Sequence, residues 1–201
     1  MSIYPRQSTE SRQAEIIATM VRLSAERSPA DITTTDIAKA MKVSQGALFR
    51  HFATKEAIRL AVVEWIEEFL MSELLAAKDN AQDALSALKA MFMAHVSFAK
   101  AHPGAPRLIF SELQQPAESP VKQRVQQIMQ HYRQTVAQTL AAAIETKLIR
   151  AGVDCPSAAA LFLGAIQGLV IQSMLSGSTE QMEQQAVGIL DLYLAALGVK
   201  L

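Results

Sequence analysis

The stretch that decides the fold runs from residue 33 to residue 52 and reads TTTDIAKAMKVSQGALFRHF. It predicts two short helices joined by a tight turn. Thr33 is suited to cap the first helix by accepting a hydrogen bond from the backbone N–H of Asp36, whose carboxylate can accept one from Thr33 in return, as in a capping box. Ser44 is a favoured N-cap residue for the second helix. The pattern is typical of a helix-turn-helix, whose second helix enters the major groove of DNA.

The second helix has an apolar side and a polar side. Leu48, Phe49 and Phe52 are expected to supply its apolar contacts. The remaining side chains are left to face outward, and they are Gln45, Gly46, Ala47, Arg50 and His51. Because Gly46 costs a helix about 1 kcal/mol relative to Ala, two interpretations stay open. Either the glycine allows close approach to a phosphate or base edge, or it is tolerated near a helix start.

These residues resemble the DNA-binding region of the tetracycline-repressor (TetR) family of bacterial transcription regulators. The resemblance runs without a gap from about Ile16 to about Val63, and its most specific part is the string VSQGALFRHF at residues 43–52, with Lys55 and Glu56 after it. It implies an all-α fold, in which an N-terminal three-helix DNA-binding module with a helix-turn-helix precedes a C-terminal helical domain for effector binding and dimerisation.

The resemblance also implies a set of DNA contacts. Gln45 and Gly46 match positions that approach base edges, and Gln suits bidentate contact with adenine. Phe49 stands where the family usually has Tyr, so the hydroxyl that commonly meets a phosphate is missing. Arg50 is the candidate for a charged contact with phosphate or guanine. The full set of expected DNA-binding residues is Thr34, Ser44, Gln45, Gly46, Phe49, Arg50, His51 and Lys55.

Two lysines near this segment lead to further expectations. Lys42 stands in the turn where the family often has Gly. Because a left-handed conformation would strain Lys by about 1 kcal/mol, we expect a turn of a different shape. Lys55 lies at the start of the next helix, where its ammonium group and the free N–H groups of the helix end both favour an anion.

Length and composition fit one or two globular domains. The chain has 201 residues, of which 50% are hydrophobic and 19% charged, and neither fraction is typical of disorder. The net charge is zero, but residues 1–60 hold nine Lys and Arg against six Asp and Glu, which gives +3, and the remainder carries −3. A basic N-terminal module fits DNA contact at that end.

Cysteine usage and hydropathy predict a soluble cytoplasmic protein. The single Cys155 cannot form an internal disulfide, which fits a reducing compartment. No signal peptide is recognisable at the start of the sequence. No uninterrupted apolar run reaches the ~18–20 residues of a spanning helix, and we therefore expect no membrane partner.

Helical periodicity, interrupted by Pro, Gly and Asp or Asn, runs along nearly the whole chain, and no strand pattern is found. We expect about nine helices. The expected domains are residues 1–54 for DNA binding, with the helix-turn-helix at about 33–52, and residues 55–201 for ligand binding and dimerisation. The seventh helix is expected to run from about residue 121 to about residue 151, with Gly152 as its cap.

The last two helices are expected to form the interface of a homodimer. Small residues four apart allow two helices to approach closely, and the last helix carries an apolar stripe. The expected interface residues are Leu161, Gly164, Gly168, Ile171, Leu175, Val187, Leu190 and Leu194. The alternative is that this stripe belongs to the core of a single chain. A two-fold dimer would bind a palindromic operator in double-stranded DNA.

The family resemblance further implies a small-molecule site in the C-terminal domain. The candidate lining residues are mostly apolar or aromatic, and they are Trp65, Phe69, Phe92, His95, Phe98, Phe110, Met129, Tyr132 and Met174. This composition favours a hydrophobic or amphipathic effector, although the same residues also fit an ordinary core. The expected function is therefore a homodimeric repressor that leaves its operator when an effector binds.

Two other functions stay open. One is a DNA-binding regulator without a small-molecule effector, controlled by a protein partner; a fully packed helical body would favour it, whereas an enclosed cavity would favour ligand control. The other is an enzyme. The four His residues lack metal-ligand spacing, Cys155 has no recognisable catalytic partner, and no phosphate-binding glycine loop appears. We therefore expect no catalytic residue, no metal and no cofactor.

Overall fold

The structure, a computed structural model, describes residues 8–199. Within that range the chain is helical and no strand occurs. Its nine α-helices are α1 (Thr9–Glu26), α2 (Thr34–Ala40), α3 (Gln45–Phe49), α4 (Lys55–Asp79), α5 (Ala84–Ala101), α6 (Gly104–Leu113), α7 (Pro120–Glu145), α8 (Cys155–Ser176) and α9 (Thr179–Ala196). A 3-10 turn at Pro29–Asp31 lies between α1 and α2. The prediction of an all-α fold with about nine helices is confirmed.

The end of α7 differs from the expected one. The helix ends at Glu145, and Lys147 then takes a left-handed φ of 59°. The N–H of Leu148 donates to the carbonyl of Ala143 at 2.9 Å, which is the bond that closes a helix in a Schellman motif. Gly152, the expected cap, also has a positive φ but lies in the following loop. The prediction was wrong because a lysine, instead of the nearest glycine, supplies the left-handed residue.

The contacts of the chain divide it into two compact units. The first comprises Met1–Ile66 and His102–Val125, and the second comprises Glu67–Ala101 and Gln126–Leu201. Both α4 and α7 contribute residues to each unit. This division concerns packing, so the functional boundary expected between residues 54 and 55 stays a prediction. The outer ends of the expected domains, residues 1–7 and 200–201, lie outside the described residues.

The first unit is built on close packing of α1, α2, α3 and α6. Its most deeply buried side chains include Ile16, Met20, Ile37 and Leu48. α6 lies directly against α1 because its first residue, Gly104, has no side chain: a Cβ at this position would stand 1.9 Å from the carbonyl oxygen of Val21. Only glycine allows this approach without moving the backbone of α1.

Aromatic side chains form the core of the second unit. The ring of Phe162 on α8 contacts Phe92 of α5 and Tyr193 of α9 edge to face, with centroid distances of 5.3 Å and 5.6 Å. Such edge-to-face pairs are favourable beyond the area they bury. The hydroxyl of Tyr193 donates to the carbonyl of Ala158 at 3.0 Å, so the hydroxyl is satisfied within the core and joins α9 to α8.

α8 is long and apolar enough to cross a membrane by length and composition alone, with 22 residues and a mean hydropathy of 1.8. It is the one helix of this kind among the described residues. It is therefore an exception to the expectation that no apolar stretch of the chain is long enough to span a membrane. Gln167 and Gln172 interrupt its apolar run without outweighing it. About 39% of the apolar window is buried, on the side where α8 packs against α5 and α9.

Candidate nucleic-acid interface

A capping box holds the first turn of α2. The Oγ1 of Thr33 accepts from the N–H of Asp36 at 3.1 Å, and Oδ2 of Asp36 accepts from the N–H of Thr33 at 2.8 Å. The predicted capping box is thereby confirmed. The hydrogen bonds from Thr33, and secondarily the Arg27 guanidinium 3.2 Å away, lower the pKa of Asp36 from 3.8 to about 2. The carboxylate is therefore ionised at neutral pH.

The turn between α2 and α3 uses a left-handed lysine. Lys42 has a φ of 57°, and the N–H of Val43 donates to the carbonyl of Ala38 at 3.0 Å. The expectation of a differently shaped turn was wrong: the chain keeps the left-handed geometry and tolerates a strain of about 1–2 kcal/mol at Lys42. The side chain of Lys42 is exposed, so the turn adds a positive charge to the surface.

Helix α3 is short; a side chain caps its start and buried side chains anchor it in the first unit. Ser44 caps it, with Oγ accepting from the N–H of Ala47 at 3.2 Å. Leu48 and Phe52 are buried, whereas Phe49 is 41% exposed. The expectation that Phe49 packs with the other two was wrong, because the helix turns by about 100° between Leu48 and Phe49 and leaves the Phe49 ring exposed to solvent.

We define the α3 surface as the exposed residues Gln45, Gly46, Phe49 and Arg50. It presents an amide, open backbone, an aromatic ring and a guanidinium group side by side. A Cβ added at Gly46 would meet no atom within 4 Å, so the fold of the single chain does not require a glycine there. This combination can donate and accept hydrogen bonds, contact a methyl group and pair with a phosphate.

Two further expected contacts are tied to neighbouring elements. The carbonyl of His51 accepts from Nε2 of Gln13 on α1 at 3.2 Å, and Nδ1 of His51 is buried without a hydrogen-bond partner among the described residues. Lys55 donates from Nζ to the carbonyl of Ala30 at 3.3 Å, and burial lowers its pKa. Part of the hydrogen-bonding capacity of Lys55 is therefore already used inside the unit.

The remaining two expected contacts, Thr34 and Ser44, also belong to this region. Thr34 is the first residue of α2 and is half-buried. The Oγ1 of Thr34 accepts a hydrogen bond from Nε2 of Gln45 at 2.7 Å. The structure thus brings all eight sequence-predicted residues into the first unit, and their role in DNA contact stays a prediction.

Residues that the sequence reasoning did not select anchor α6 in the same unit. Arg59 of α4 forms a two-pronged ion pair with Glu112 of α6, with Nε–Oε1 at 2.7 Å. Only 2% of Glu112 is exposed, and its hydrogen bond raises the pKa of Arg59. Arg107 donates from Nη1 to the carbonyl of Ala25 on α1 at 2.6 Å. Neither pair is visible in the sequence, since the partners are 53 and 82 residues apart.

The expected effector residues fall in both units. Trp65 and Phe110 belong to the first unit, and the other seven belong to the second. In the second unit, the ring of His95 lies against that of Tyr132, with Nδ1 3.1 Å from the hydroxyl oxygen, and Tyr132 also contacts Phe162. Phe162, which was not selected, thus lies at the centre of the aromatic contacts.

Burial governs the chemistry of this group. It lowers the pKa of His95 to about 4 and raises the pKa of Tyr132, so both side chains are neutral at physiological pH. Tyr132, Phe92 and Phe98 are buried and His95 is half-buried, whereas Phe69 and Met174 are more than 40% exposed. A cavity of about 230 Å³ in the second unit lies elsewhere, between Lys78, Asp83 and Thr139 among others, and none of the nine expected residues lines it.

The expected dimer residues divide into two groups. Leu161, Ile171, Leu175 and Val187 are 45–75% exposed. A Cβ added at Gly164 or Gly168 on α8 would meet no atom within 4 Å outside the backbone of its own helix. Leu190 and Leu194 are 6% and 0% exposed. For these two the prediction was wrong, because their side of α9 packs into the core of its own unit.

The titratable side chains of the described residues form no cluster of three or more His, Cys, Asp or Glu that could hold a metal ion. Cys155 is half-buried, with its thiol directed at the carbonyl of Val153 at 3.8 Å.

Family models match both parts of the chain. Residues 16–62 match the model for bacterial regulatory proteins of the tetR family, and residues 111–188 match the model for a tetracyclin repressor-like C-terminal domain. Together the two matches cover more than half of the sequence.

Curated relatives include nucleoid occlusion factor SlmA of Haemophilus ducreyi, 33% identical over 106 residues, which are 52% of each chain. The same factor of Vibrio cholerae is 32% identical over 99 residues, which are 49% of this chain and 50% of the relative. This chain therefore matches about half the length of these relatives.

Solved structures share the fold at low sequence identity. A TetR transcription regulator from Haloarcula marismortui has a TM-score of 0.80 at 18% identity, covering 94% of this chain and 98% of its own. FadR from Bacillus subtilis in complex with stearoyl-CoA has a TM-score of 0.77 at 19% identity, covering 90% and 97%. KstR2, a ketosteroid regulator of Mycobacterium tuberculosis, has a TM-score of 0.75 at 22% identity, covering 89% and 92%.

Proposed function

The chain belongs to the tetracycline-repressor (TetR) family of bacterial transcription regulators, and from this premise we propose that it is a homodimeric repressor in the cytoplasm. In this proposal it binds a palindromic operator through α3 and leaves the operator when a small hydrophobic or amphipathic effector binds. The members of this family that the chain resembles are transcription factors and not enzymes. No catalytic role is proposed for any residue.

The observation that carries the proposal is the α3 surface. Leu48 and Phe52 hold α3 in the fold, while Gln45 and Arg50 stay exposed beside the open backbone of Gly46. An exposed amide and an exposed guanidinium are groups that direct readout of the major groove uses, and the glycine between them leaves room for close approach of the backbone. Two copies on a two-fold axis would present this surface to two half-sites.

The test is fluorescence anisotropy with duplex DNA from the promoter region next to the gene of this protein, at several salt concentrations. Arg50→Ala and Lys55→Ala should each weaken binding and lower the salt slope by about one per lost phosphate contact. Arg133→Ala is the matched control, since it removes the same charge from an exposed site in the second unit. Parental binding by both variants would refute the contact assignment.

The effector proposal is supported by the apolar and aromatic character of the expected lining residues. Stearoyl-CoA is a suitable first probe because a structural relative is described in complex with it. If an amphipathic effector controls the protein, native mass spectrometry of freshly purified protein should detect a small molecule, and its addition should release DNA. Protein that carries no small molecule and keeps its DNA with every acyl-CoA offered would refute ligand control.

A second candidate is a DNA-binding regulator controlled by a protein partner. Two observations favour it: the curated relatives are named for nucleoid occlusion, and three expected effector residues, Phe92, His95 and Tyr132, contact other aromatic rings in the core. Under this alternative no small molecule should copurify, and cross-linking in cells should recover one protein in stoichiometric amount only when the DNA-bound form is present.

A further inference from the structure

A side-chain hydrogen bond joins α2 to α3 at the edge of the α3 surface. The Nε2 of Gln45 donates to Oγ1 of Thr34 at 2.7 Å, across eleven positions of sequence. Each residue is the first of its helix. The caps of both helices are supplied by other side chains, Thr33 for α2 and Ser44 for α3. The bond between Thr34 and Gln45 is therefore additional to what either helix needs in order to begin.

This bond selects one orientation of the Gln45 amide. A glutamine amide offers two N–H donors on nitrogen and an acceptor on oxygen. Because Thr34 occupies one of the two N–H donors, the other N–H donor and the acceptor Oε1 remain available for contact with a base. That donor and that acceptor are the pair that adenine requires, through its N7 and its N6 amino group. An exposed glutamine without such a partner would sample several rotamers and both amide orientations.

The hydroxyl of Thr34 has capacity left for a second bond. A threonine hydroxyl accepts through its lone pairs and donates one hydrogen. Because Thr34 accepts from Gln45, its own hydrogen stays available to an acceptor oxygen. In a complex with DNA, donation of this hydrogen to a backbone oxygen would fix the rotor of Thr34 and with it the amide that Thr34 holds.

We propose that Thr34 is a positioning residue that sets the base selectivity of Gln45. It holds the amide in one orientation before DNA arrives, so that a residue on α2 governs which base α3 accepts. This inference rests on the proposed function, since it concerns how the α3 surface reads DNA. It assigns to Thr34 an effect on sequence preference that a phosphate contact alone would not have, because phosphate contacts carry no sequence information.

The principal test is selection of binding sites from randomised duplexes by the full chain and by three variants. Thr34→Val removes the hydroxyl at similar volume, Thr34→Ser keeps it, and Thr35→Val makes the same change one residue later, at an exposed position. The base position read by Gln45 is identified as the one whose preference Gln45→Ala abolishes.

At that position the parent should prefer one base by about tenfold or more, as expected for a bidentate contact. Thr34→Val should reduce the preference to below about threefold. Loss of a phosphate contact by Thr34 would lower the affinity for all sequences alike and would leave this ratio between bases unchanged. Thr34→Ser and Thr35→Val should keep the preference. Undiminished preference in Thr34→Val would overturn the proposal.

A double-mutant cycle distinguishes action through Gln45 from a separate contact. If Thr34 acts through the amide, Thr34→Val should weaken binding to the preferred site more in the parent than in a Gln45→Ala background. Equal effects of Thr34→Val in both backgrounds would overturn the inference and would show that Thr34 acts on the DNA directly.

A measurement without DNA separates this inference from the proposed function. In ¹H–¹⁵N spectra of the free protein, the two side-chain amide protons of Gln45 should differ in shift and in exchange rate, and the difference should collapse to that of a solvent-exposed glutamine in Thr34→Val but persist in Thr34→Ser. A Gln45 amide that is already averaged in the parent would overturn the inference. Failure of the parent to bind any duplex would instead overturn the proposed function.

Discussion

Replacing Gly46 with Ala separates the folding of α3 from its contact with DNA. In the single chain the added Cβ would meet no atom within 4 Å, and the backbone at this position lies outside the left-handed region. Ala has the higher helix propensity, by up to about 1 kcal/mol. The free energy of unfolding should therefore rise by up to that amount, which for a chain of this length corresponds to roughly 2–4 °C in Tm.

The affinity for operator DNA should change in the opposite direction. If the backbone of Gly46 lies against a base edge or phosphate, the added methyl group takes the space that this approach needs. We expect the Kd to rise by about tenfold or more, which corresponds to about 1.4 kcal/mol of lost binding free energy. A more stable protein that binds DNA less well cannot be explained by partial unfolding.

The assay pairs thermal denaturation followed by circular dichroism with an anisotropy titration at fixed salt. Gly188→Ala in α9 is the matched control, because a Cβ there also meets no atom within 4 Å and the residue is exposed. It should raise Tm without changing the Kd. If Gly46→Ala raises Tm and leaves the Kd at the parental value, close approach is refuted, and the glycine is one tolerated near a helix start.

Three further predictions concern stability and assembly. Glu112→Gln leaves Arg59 without its carboxylate, so urea denaturation should show that the free energy of unfolding falls by about 3 kcal/mol. Glu183→Gln, in the exposed pair with Lys100, should lower it by less than about 1 kcal/mol. Equal losses in the two variants would contradict the argument that burial makes the first pair matter more. Burial lowers the pKa of His95 from 6.5 to about 4, so between these two pH values the unfolded chain takes up a proton that the folded chain does not. The free energy of unfolding should therefore fall on acidification from pH 6.5 to 4, by up to about 3 kcal/mol more in the parent than in His95→Gln. Parallel pH profiles of the parent and the variant would refute this assignment. Leu175→Glu places a charge at a position where the side chain is 75% exposed in the single chain. Sedimentation equilibrium should show a shift from dimer to monomer, while the helical circular dichroism stays unchanged. A variant that remains as dimeric as the parent would argue against this interface.

The parts of the fold that the sequence predicted are those set by near neighbours. The capping box of Thr33 and Asp36 and the cap of Ser44 span three residues each, so the spacing of the side chains in the sequence is the spacing in the helix. The burial of Leu48 follows from the same local geometry. Phe49 was placed wrongly because a helix of five residues is too short for periodicity to separate its two sides.

The parts that could not be predicted depend on partners far away in the sequence. Nothing around Gly104 indicates that the carbonyl of Val21 stands in the place of its side chain. The partners Arg59 and Glu112 are 53 residues apart. For Leu190 and Leu194, helical spacing correctly predicts a shared side of α9, but only the tertiary structure shows that this side is covered by its own unit.

The composition of α8 explains why its exposed side needs a cover and which cover the fold allows. A helix that is apolar around its circumference is stable in water only if both sides are buried, and here Phe162 and Ile166 are buried while Leu161 and Leu175 are not. A lipid bilayer could cover the exposed side only if the helix left its neighbours, because insertion of α8 would withdraw Phe162 from its rings in α5 and α9. A second copy of the chain can cover the same side without disturbing any of these contacts. Apolar surfaces of this kind on soluble proteins mark sites of association, and the proposed homodimer would cover this side of α8 while preserving the core of the second unit.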